Sequence, residues 1–125
     1  RAFNEREERA KATLCVAMNG TQTTLQTKQG EATFSFDECF WSFDGFERNS
    51  TTGYLTPLPG SRYADQCHVY NRFGYHVPEC AWAGVHCCIF AYGQTGTGKS
   101  WSMIGYGNNK GILPKACEEI FKRID

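Results

Sequence analysis

The sequence comprises 125 residues, 41% hydrophobic and 21% charged, with 13 Lys plus Arg set against 13 Asp plus Glu. That balance is globular and excludes a disordered polyelectrolyte, while a formal net charge of zero argues against a strongly basic nucleic-acid binder. No apolar run reaches the roughly 18 residues of a membrane span and no secretory leader is visible, so neither nucleic acid nor membrane contact is expected.

The chain opens at Arg1 without a Met, which predicts further sequence upstream. Its cysteines, Cys15, Cys39, Cys67, Cys80, Cys87, Cys88 and Cys117, form no C-x-x-C pair and read as reduced structural residues rather than a disulfide framework or a metal site. The adjacent Cys87 and Cys88 lie in an apolar run and behave as small hydrophobes. His68, His76 and His86 have no metal-ligand spacing, and the sequons at Asn19 and Asn49 read as chance matches without a leader.

In chain order, the charged stretch 1–11 reads as a solvated loop, because Glu5 to Arg9 have no apolar stripe beside them. Leu14, Val16 and Met18 then alternate up to Asn19-Gly20, a turn pair that predicts a hairpin returning over 21–26. A strand is expected over 33–41, with Phe34 and Phe36 on one face. The Ser-, Thr-, Gly- and Pro-rich stretch of about 42–64 reads as a long surface loop, an insertion. Val69, Tyr70, Phe73, Val77, Cys80 and Ala81 recur at helical spacing and predict a helix over 65–83. Pro78 lacks an N–H and clashes with the Gly74 carbonyl, so a kink or break is expected there. The apolar run Cys87 to Tyr92 predicts a buried strand. A last helix is expected from Pro114 to about Ile124, with an apolar stripe of Leu113, Cys117, Ile120, Phe121 and Ile124 and the i,i+4 pairs Glu118–Lys122 and Glu119–Arg123. A β-rich start followed by helix, strand, glycine loop and helix predicts an α/β fold.

Residues Gly93-Gln94-Thr95-Gly96-Thr97-Gly98-Lys99-Ser100 match G-x-x-x-x-G-K-[ST]. The glycines allow backbone N–H groups to curl around an anion, and Lys99 supplies a mobile point charge for the β- and γ-phosphates. The Ser100 hydroxyl is a hard oxygen ligand suited to Mg²⁺, and the N-terminus of the following helix adds partial positive charge. A GTPase would carry an N-K-x-D base reader; the nearest string, Asn109-Lys110-Gly111-Ile112, lacks the Asp, which favours ATP.

The surrounding segments carry a family resemblance. Ile89-Phe90-Ala91-Tyr92-Gly93-Gln94-Thr95-Gly96 resembles the phosphate-loop strand and turn of kinesins. Arg1-Ala2-Phe3-Asn4-Glu5-Arg6-Glu7 resembles their R-P-F-N-x-R-E segment, and Phe34-Ser35-Phe36-Asp37 their F-x-F-D strand. Gln66, Val69, Tyr70 and Ala81-Trp82-x-Gly84 fall on their first helix, and Gly111-Ile112-Leu113-Pro114 with Ile120-Phe121 resembles G-I-I-P…L-F. Ser102-Met103-Ile104-Gly105 and Trp41-Ser42 with its insertion look most like the kinesin-3 group, KLP-type members in particular.

The resemblance implies that residues 1–125 are the N-terminal part of a kinesin motor domain. The implied fold is an α/β phosphate-loop NTPase, a central sheet flanked by helices, incomplete in this chain. It implies ATP or ADP with Mg²⁺ as ligands, held by Gly93, Gln94, Thr95, Gly96, Thr97, Gly98, Lys99 and Ser100, with Ser100 on the metal. Arg1, Ala2 and Trp101 align with positions flanking the adenine, where the Trp101 face suits a base; ordinary packing is the alternative for Trp101. Ala2 in place of Pro, Val85-His86 in place of Tyr-Asn, and Pro78 depart from the pattern. The switch segments N-x-x-S-S-R and D-x-x-G do not occur in residues 1–125, so no catalytic residue is assigned. The implied parent is a cytoplasmic motor on the microtubule cytoskeleton, touching tubulin through parts beyond this chain and coupling ATP hydrolysis to movement. The chain alone is expected to bind nucleotide, hydrolyse it poorly and expose a strand edge that favours aggregation. The competing readings are another phosphate-loop enzyme, such as a nucleotide kinase or GTPase, and a non-catalytic kinesin-like fragment.

Overall fold

A computed structural model describes residues 1–124, so Asp125 lies outside the described residues. The chain divides into two compact units, Arg1–Asp44 and Gly45–Asp125.

The first unit opens with α1 (Glu5–Arg9), where a solvated loop was expected. The reason is local. Asn4 Oδ1 accepts the Glu7 N–H at 2.9 Å and Glu7 Oε2 accepts the Asn4 N–H at 2.8 Å, a reciprocal capping box. A helix held by its cap and buried nowhere needs no apolar stripe. Three antiparallel strands follow as a meander, β1 (Val16–Asn19), β2 (Gln22–Thr27) and β3 (Gly30–Ser35). The expected hairpin forms with its turn one residue further on: Asn19 pairs with Gln22, and the loop is Gly20-Thr21, with Gly20 at φ +56°. The expected strand over 33–41 is β3, which starts earlier and ends at Ser35, leaving Phe34 and Phe36 exposed. Trp41 is the buried centre of this unit's small aromatic cluster. Its Nε1 donates to Asp44 Oδ1 at 2.7 Å, and Phe43 meets both Trp41 and Phe3 edge-on.

The second unit begins with a correction to the long loop. Residues 46–57 form a hairpin of β4 (Phe46–Arg48) and β5 (Leu55–Pro57). The Asn49 carboxamide accepts the N–H groups of Thr51 and Thr52 at 3.0 and 2.9 Å and turns the chain, so the polar composition belongs to the turn rather than to a structureless insertion. The helix expected over 65–83 is present in three pieces: α2 (Gln66–Val69), a π-helical turn (Tyr70–Gly74) and α3 (His76–Trp82). Asp65 caps it by accepting the His68 N–H at 2.7 Å. The break foreseen from Pro78 falls in the turn before it. Tyr75 N–H reaches back to the Tyr70 carbonyl at 2.9 Å, an i→i−5 bond, and Pro78 is fully buried.

The phosphate-loop helix α4 (Lys99–Met103) leads to a minimal hairpin, β6 (Gly105–Tyr106) with β7 (Asn109–Lys110), and then to α5 (Ile112–Ile124). Helix α5 packs on the π turn and α3 through Ile112 and Ala116, both buried. The expected stripe is rotated: Leu113, Phe121 and Ile124 are exposed. Glu119–Arg123 forms as expected at 3.2 Å, whereas Glu118 pairs with Lys110. Arg123 also reaches Glu79 on α3.

The strand expected over Cys87 to Tyr92 is absent from the described residues. That segment carries neither strand nor helix, with Phe90 80% and Tyr92 96% exposed. A central strand exists only through hydrogen-bonded neighbours. Here each strand pairs inside its own small antiparallel sheet, and none lies beside 87–92.

Candidate functional site: a glycine loop gathered around a lysine

Residues 93–98 form a tight bend entering α4, and the glycines are where that bend needs them. Gly93, Gly96 and Gly98 have φ of +145°, +85° and +100°, a region that side chains with a Cβ rarely adopt. At Gly93 space is restricted as well: an added Cβ would lie 2.6 Å from Thr97 Oγ1. Thr97 braces the loop by donating its hydroxyl to the Gln94 carbonyl at 2.8 Å. Lys99 folds back over the same bend. Its Nζ donates to the carbonyls of Gly93 and Gln94 at 2.7 and 2.8 Å. The ammonium is therefore held against the loop's own backbone, at an exposed position.

Gly98 precedes α4 without any side-chain cap hydrogen bond. The first-turn N–H groups of a helix have no intrahelical acceptors, so this turn presents donors to an anion. Ser100, one residue past the lysine, is exposed. Left-handed glycines, a centred ammonium, open amides and an exposed hydroxyl are the donor set a polyphosphate with Mg²⁺ requires.

Residues of α2 and of the β6–β7 turn support the loop from behind. The buried Gln66, at the start of α2, donates its side-chain N–H to the Trp101 carbonyl at 2.7 Å and so ties α2 to α4. The chain leaving α4 closes tightly: Gly111 N–H donates to the Ile104 carbonyl at 2.8 Å, and a Cβ at Gly105 would lie 1.9 Å from the Asn109 carbonyl oxygen. Asn109 is buried in turn. Its Oδ1 accepts the Leu55 N–H at 2.9 Å and its Nδ2 donates to the Gly53 carbonyl at 2.9 Å, fastening the β4–β5 hairpin. Nothing local to Asn109 signals a partner more than fifty residues away in sequence.

The other expected site residues are placed as follows. Trp101 is half-buried on α4, and its ring centroid lies 6.0 Å from that of Tyr106, tilted by 31°. Arg1 and Ala2 belong to the first unit. There Arg1 forms a two-pronged ion pair with Glu7, 2.7 Å at each contact, and also donates to the Ala2 carbonyl at 2.8 Å. The Arg1 guanidinium first, and then the Asn4 N–H, hold the Glu7 carboxyl at about 2.

A glycine loop leading into a helix that begins Lys99-Ser100, in a mixed helix-and-strand chain, has the pattern of the phosphate-loop class. The family model described as the kinesin motor domain matches residues 1–125. The chain belongs to the kinesin motor domain family. It is 40% identical over 128 residues to the kinesin-like protein KIF28 of Rattus norvegicus, covering 100% of this chain and 12% of that protein. It is 42% identical over 137 residues to kinesin-related protein 1 of Dictyostelium discoideum, covering 99% of this chain and 6% of that one. Human KIF13A is 42% identical over 133 residues, with 99% and 7% covered. The structure of KIF14 residues 391–755 with ADP in complex with a microtubule superposes with a TM-score of 0.79 at 36% identity, covering 99% of this chain and 31% of that chain. The KIF14 residues 391–772 dimer with AMP-PNP, also in complex with a microtubule, gives 0.80 at 36% identity, with the same shares covered. The fold is thus that of the corresponding part of kinesin motor domains, the α/β class expected. The chain spans about an eighth or less of these curated relatives.

Proposed function

We propose that this chain is the ATP-binding part of a microtubule-based motor that couples ATP hydrolysis to movement along microtubules. The observation that carries the reading is the seating of Lys99 against a loop of left-handed glycines, in a chain of the kinesin motor domain family. The solved KIF14 relatives hold ADP or AMP-PNP and a microtubule, which supports a nucleotide here and a microtubule partner for the whole motor. The parent would then work in the cytoplasm on the microtubule cytoskeleton. No helix among the described residues is long and apolar enough to cross a membrane.

Backbone N–H groups of Gly93 to Gly98 would hold the phosphates. Lys99 exchanges a carbonyl contact for a phosphate oxygen, because a hydrogen bond between two charged groups is the stronger one. Ser100 provides the oxygen ligand for Mg²⁺, which, when bound, neutralises charge on the β- and γ-phosphates. Trp101 is assigned to the adenine end. Residues 1–125 contain no N-x-x-S-S-R or D-x-x-G segment to position the attacking water. The chain by itself therefore binds nucleotide and turns it over slowly.

The test is ATP turnover by the intact parent with and without microtubules. Stimulation that Lys99→Ala abolishes supports the motor. Turnover that is indifferent to microtubules, with a nucleoside or a small molecule accepting the phosphoryl group, would place the chain among other phosphate-loop enzymes.

A further inference from the structure

Outside the phosphate loop, the second unit brings a thiol, an amine, a phenol and a carboxylate together at the seam between α2 and α5. Lys115 Nζ donates to Cys67 Sγ at 3.1 Å. Tyr54 shares a hydrogen bond with the same sulfur at 3.6 Å, and its hydroxyl donates to Asp65 Oδ2 at 3.5 Å. The two reactive atoms come from segments 48 residues apart. All four residues are half-buried, which shields the sulfur from bulky reagents while leaving it open to a small oxidant. None of them has a part in the phosphate-loop chemistry.

We propose that Cys67 and Lys115 are a modification site, at which a peroxide drives formation of a covalent sulfur–nitrogen bridge between α2 and α5. The thiolate, the nucleophilic form of a cysteine, is the species that reacts, and the Lys115 amine lies within 3.1 Å of the sulfur it must reach. The thiolate attacks one peroxide oxygen; the S–O bond forms, the O–O bond breaks, and water leaves once the departing oxygen is protonated. Sulfur loses two electrons to the peroxide, and Cys67 becomes the sulfenic acid. Lys115, having released a proton to solvent, then attacks that sulfur through its amine. The S–N bond forms, the S–O bond breaks, and the hydroxyl leaves as water with a proton from the amine. The sum is thiol plus hydrogen peroxide plus amine giving sulfenamide plus two waters. An external thiol reverses the link by attacking sulfur and releasing the amine.

Geometry favours this end point over hydrolysis or a disulfide. Closing the remaining distance needs only rotation in the flexible four-carbon stem of Lys115. The bridge would also bear on the fold's support. Cys67 is adjacent to Gln66, whose side chain holds the Trp101 carbonyl on α4, so clamping α2 to α5 stiffens the frame behind the phosphate loop.

The experiment treats the full chain, in native buffer, with hydrogen peroxide, followed by digestion and mass spectrometry. The expected product joins the Cys67 and Lys115 peptides, two hydrogens lighter than their sum, and dissolves on adding dithiothreitol. Cys15 and Cys117, both exposed, serve as internal references for ordinary thiol oxidation. Lys115→Arg keeps the positive charge and should abolish the bridged peptide while dimedone still captures Cys67 as its sulfenic acid. Capture of wild-type Cys67 only as sulfenic acid, higher oxides or a disulfide, with no Lys115 link, overturns the proposal. So does a bridged peptide that survives undiminished in Lys115→Arg. The wild-type measurement needs no variant to fold.

Discussion

Lys99 Nζ lies 2.7 Å from the carbonyl oxygen of Gly93, so the lysine of the phosphate loop is tied to the loop's own first residue. The contact keeps the ammonium centred in the bend and fixes where a phosphate oxygen must compete. The residues that build the bend, and those that brace it from behind, are therefore the ones whose alteration is informative.

The chain after α4 tolerates no side chain at Gly105. Its φ of +76° is left-handed, and an added Cβ would lie 1.9 Å from a backbone oxygen. Gly105→Ala should destabilise the chain by about 3 kcal/mol or more, combining overpacking with backbone strain. Gly107 has φ +55° but nothing within 4 Å of an added Cβ, so Gly107→Ala should cost about 1 to 2 kcal/mol from strain alone. Urea unfolding midpoints of the two variants check the contrast.

Asn109 fastens the β4–β5 hairpin through a buried hydrogen bond from Leu55 N–H and a part-buried one to the Gly53 carbonyl. Asn109→Ala leaves both groups unsatisfied and should cost about 2 to 3 kcal/mol. The neighbouring Asn108 makes one exposed bond, to the Thr52 carbonyl at 2.9 Å, and Asn108→Ala should cost less than about 1 kcal/mol. Chemical denaturation of both variants gives the comparison. Equal losses would show that the buried position confers nothing on Asn109.

The Arg1–Glu7 pair sets a pH dependence with a definite sign. Glu7 titrates at about 2 in the folded chain, below the carboxylate range of about 4.3 in an unfolded one. The unfolded state thus binds its proton first as pH falls. Glu7's stabilisation of α1 is complete above the ordinary range, declines below it, and is gone once pH falls through about 2. A carboxyl NMR titration of Glu7 should show this low midpoint, and Arg1→Ala should move it upward. A wild-type midpoint in the ordinary range would mean that the pair does not persist in solution.

Trp101 separates base recognition from phosphate recognition. Trp101→Ala keeps the backbone carbonyl that Gln66 binds, so α4 stays anchored. If the indole stacks on adenine, the variant should lose about 1 to 3 kcal/mol of ATP affinity and bind tripolyphosphate unchanged. Competition binding with the two ligands distinguishes this from simple packing against Tyr106, for which both affinities would move together.

The bend at 93–98 was legible because its requirements are local: glycines at the left-handed positions, followed by Lys99 and Ser100, all within eight consecutive residues. The β1–β2 hairpin and the helix from Gln66 to Trp82 were legible for the same reason, through the Asn19-Gly20 turn pair and the apolar spacing from Val69 to Ala81. What escaped was non-local or masked by composition. The run Cys87 to Tyr92 has the composition of a buried strand, but strand structure comes from partners, and none of the described residues supplies one. The β4–β5 hairpin was hidden because its turn residues, Asn49 to Gly53, dominate the local composition, while the anchor is Asn109. On α5 the apolar spacing was real, yet the buried face is set by Ile112 and Ala116 against the π turn, about a residue's rotation away. Helix α1 was missed because a capping box, not an apolar stripe, holds it.

The most direct test of the central claim is equilibrium binding of a fluorescent ATP analogue with Mg²⁺ to the wild-type chain and to Lys99→Ala. The wild type should bind saturably, and ATP should compete. The variant should lose about 10- to 100-fold in affinity, the value of a hydrogen bond between charged groups. Equal affinity in the two proteins, with both folded by circular dichroism, would contradict the assignment of Gly93 to Ser100 as the nucleotide site.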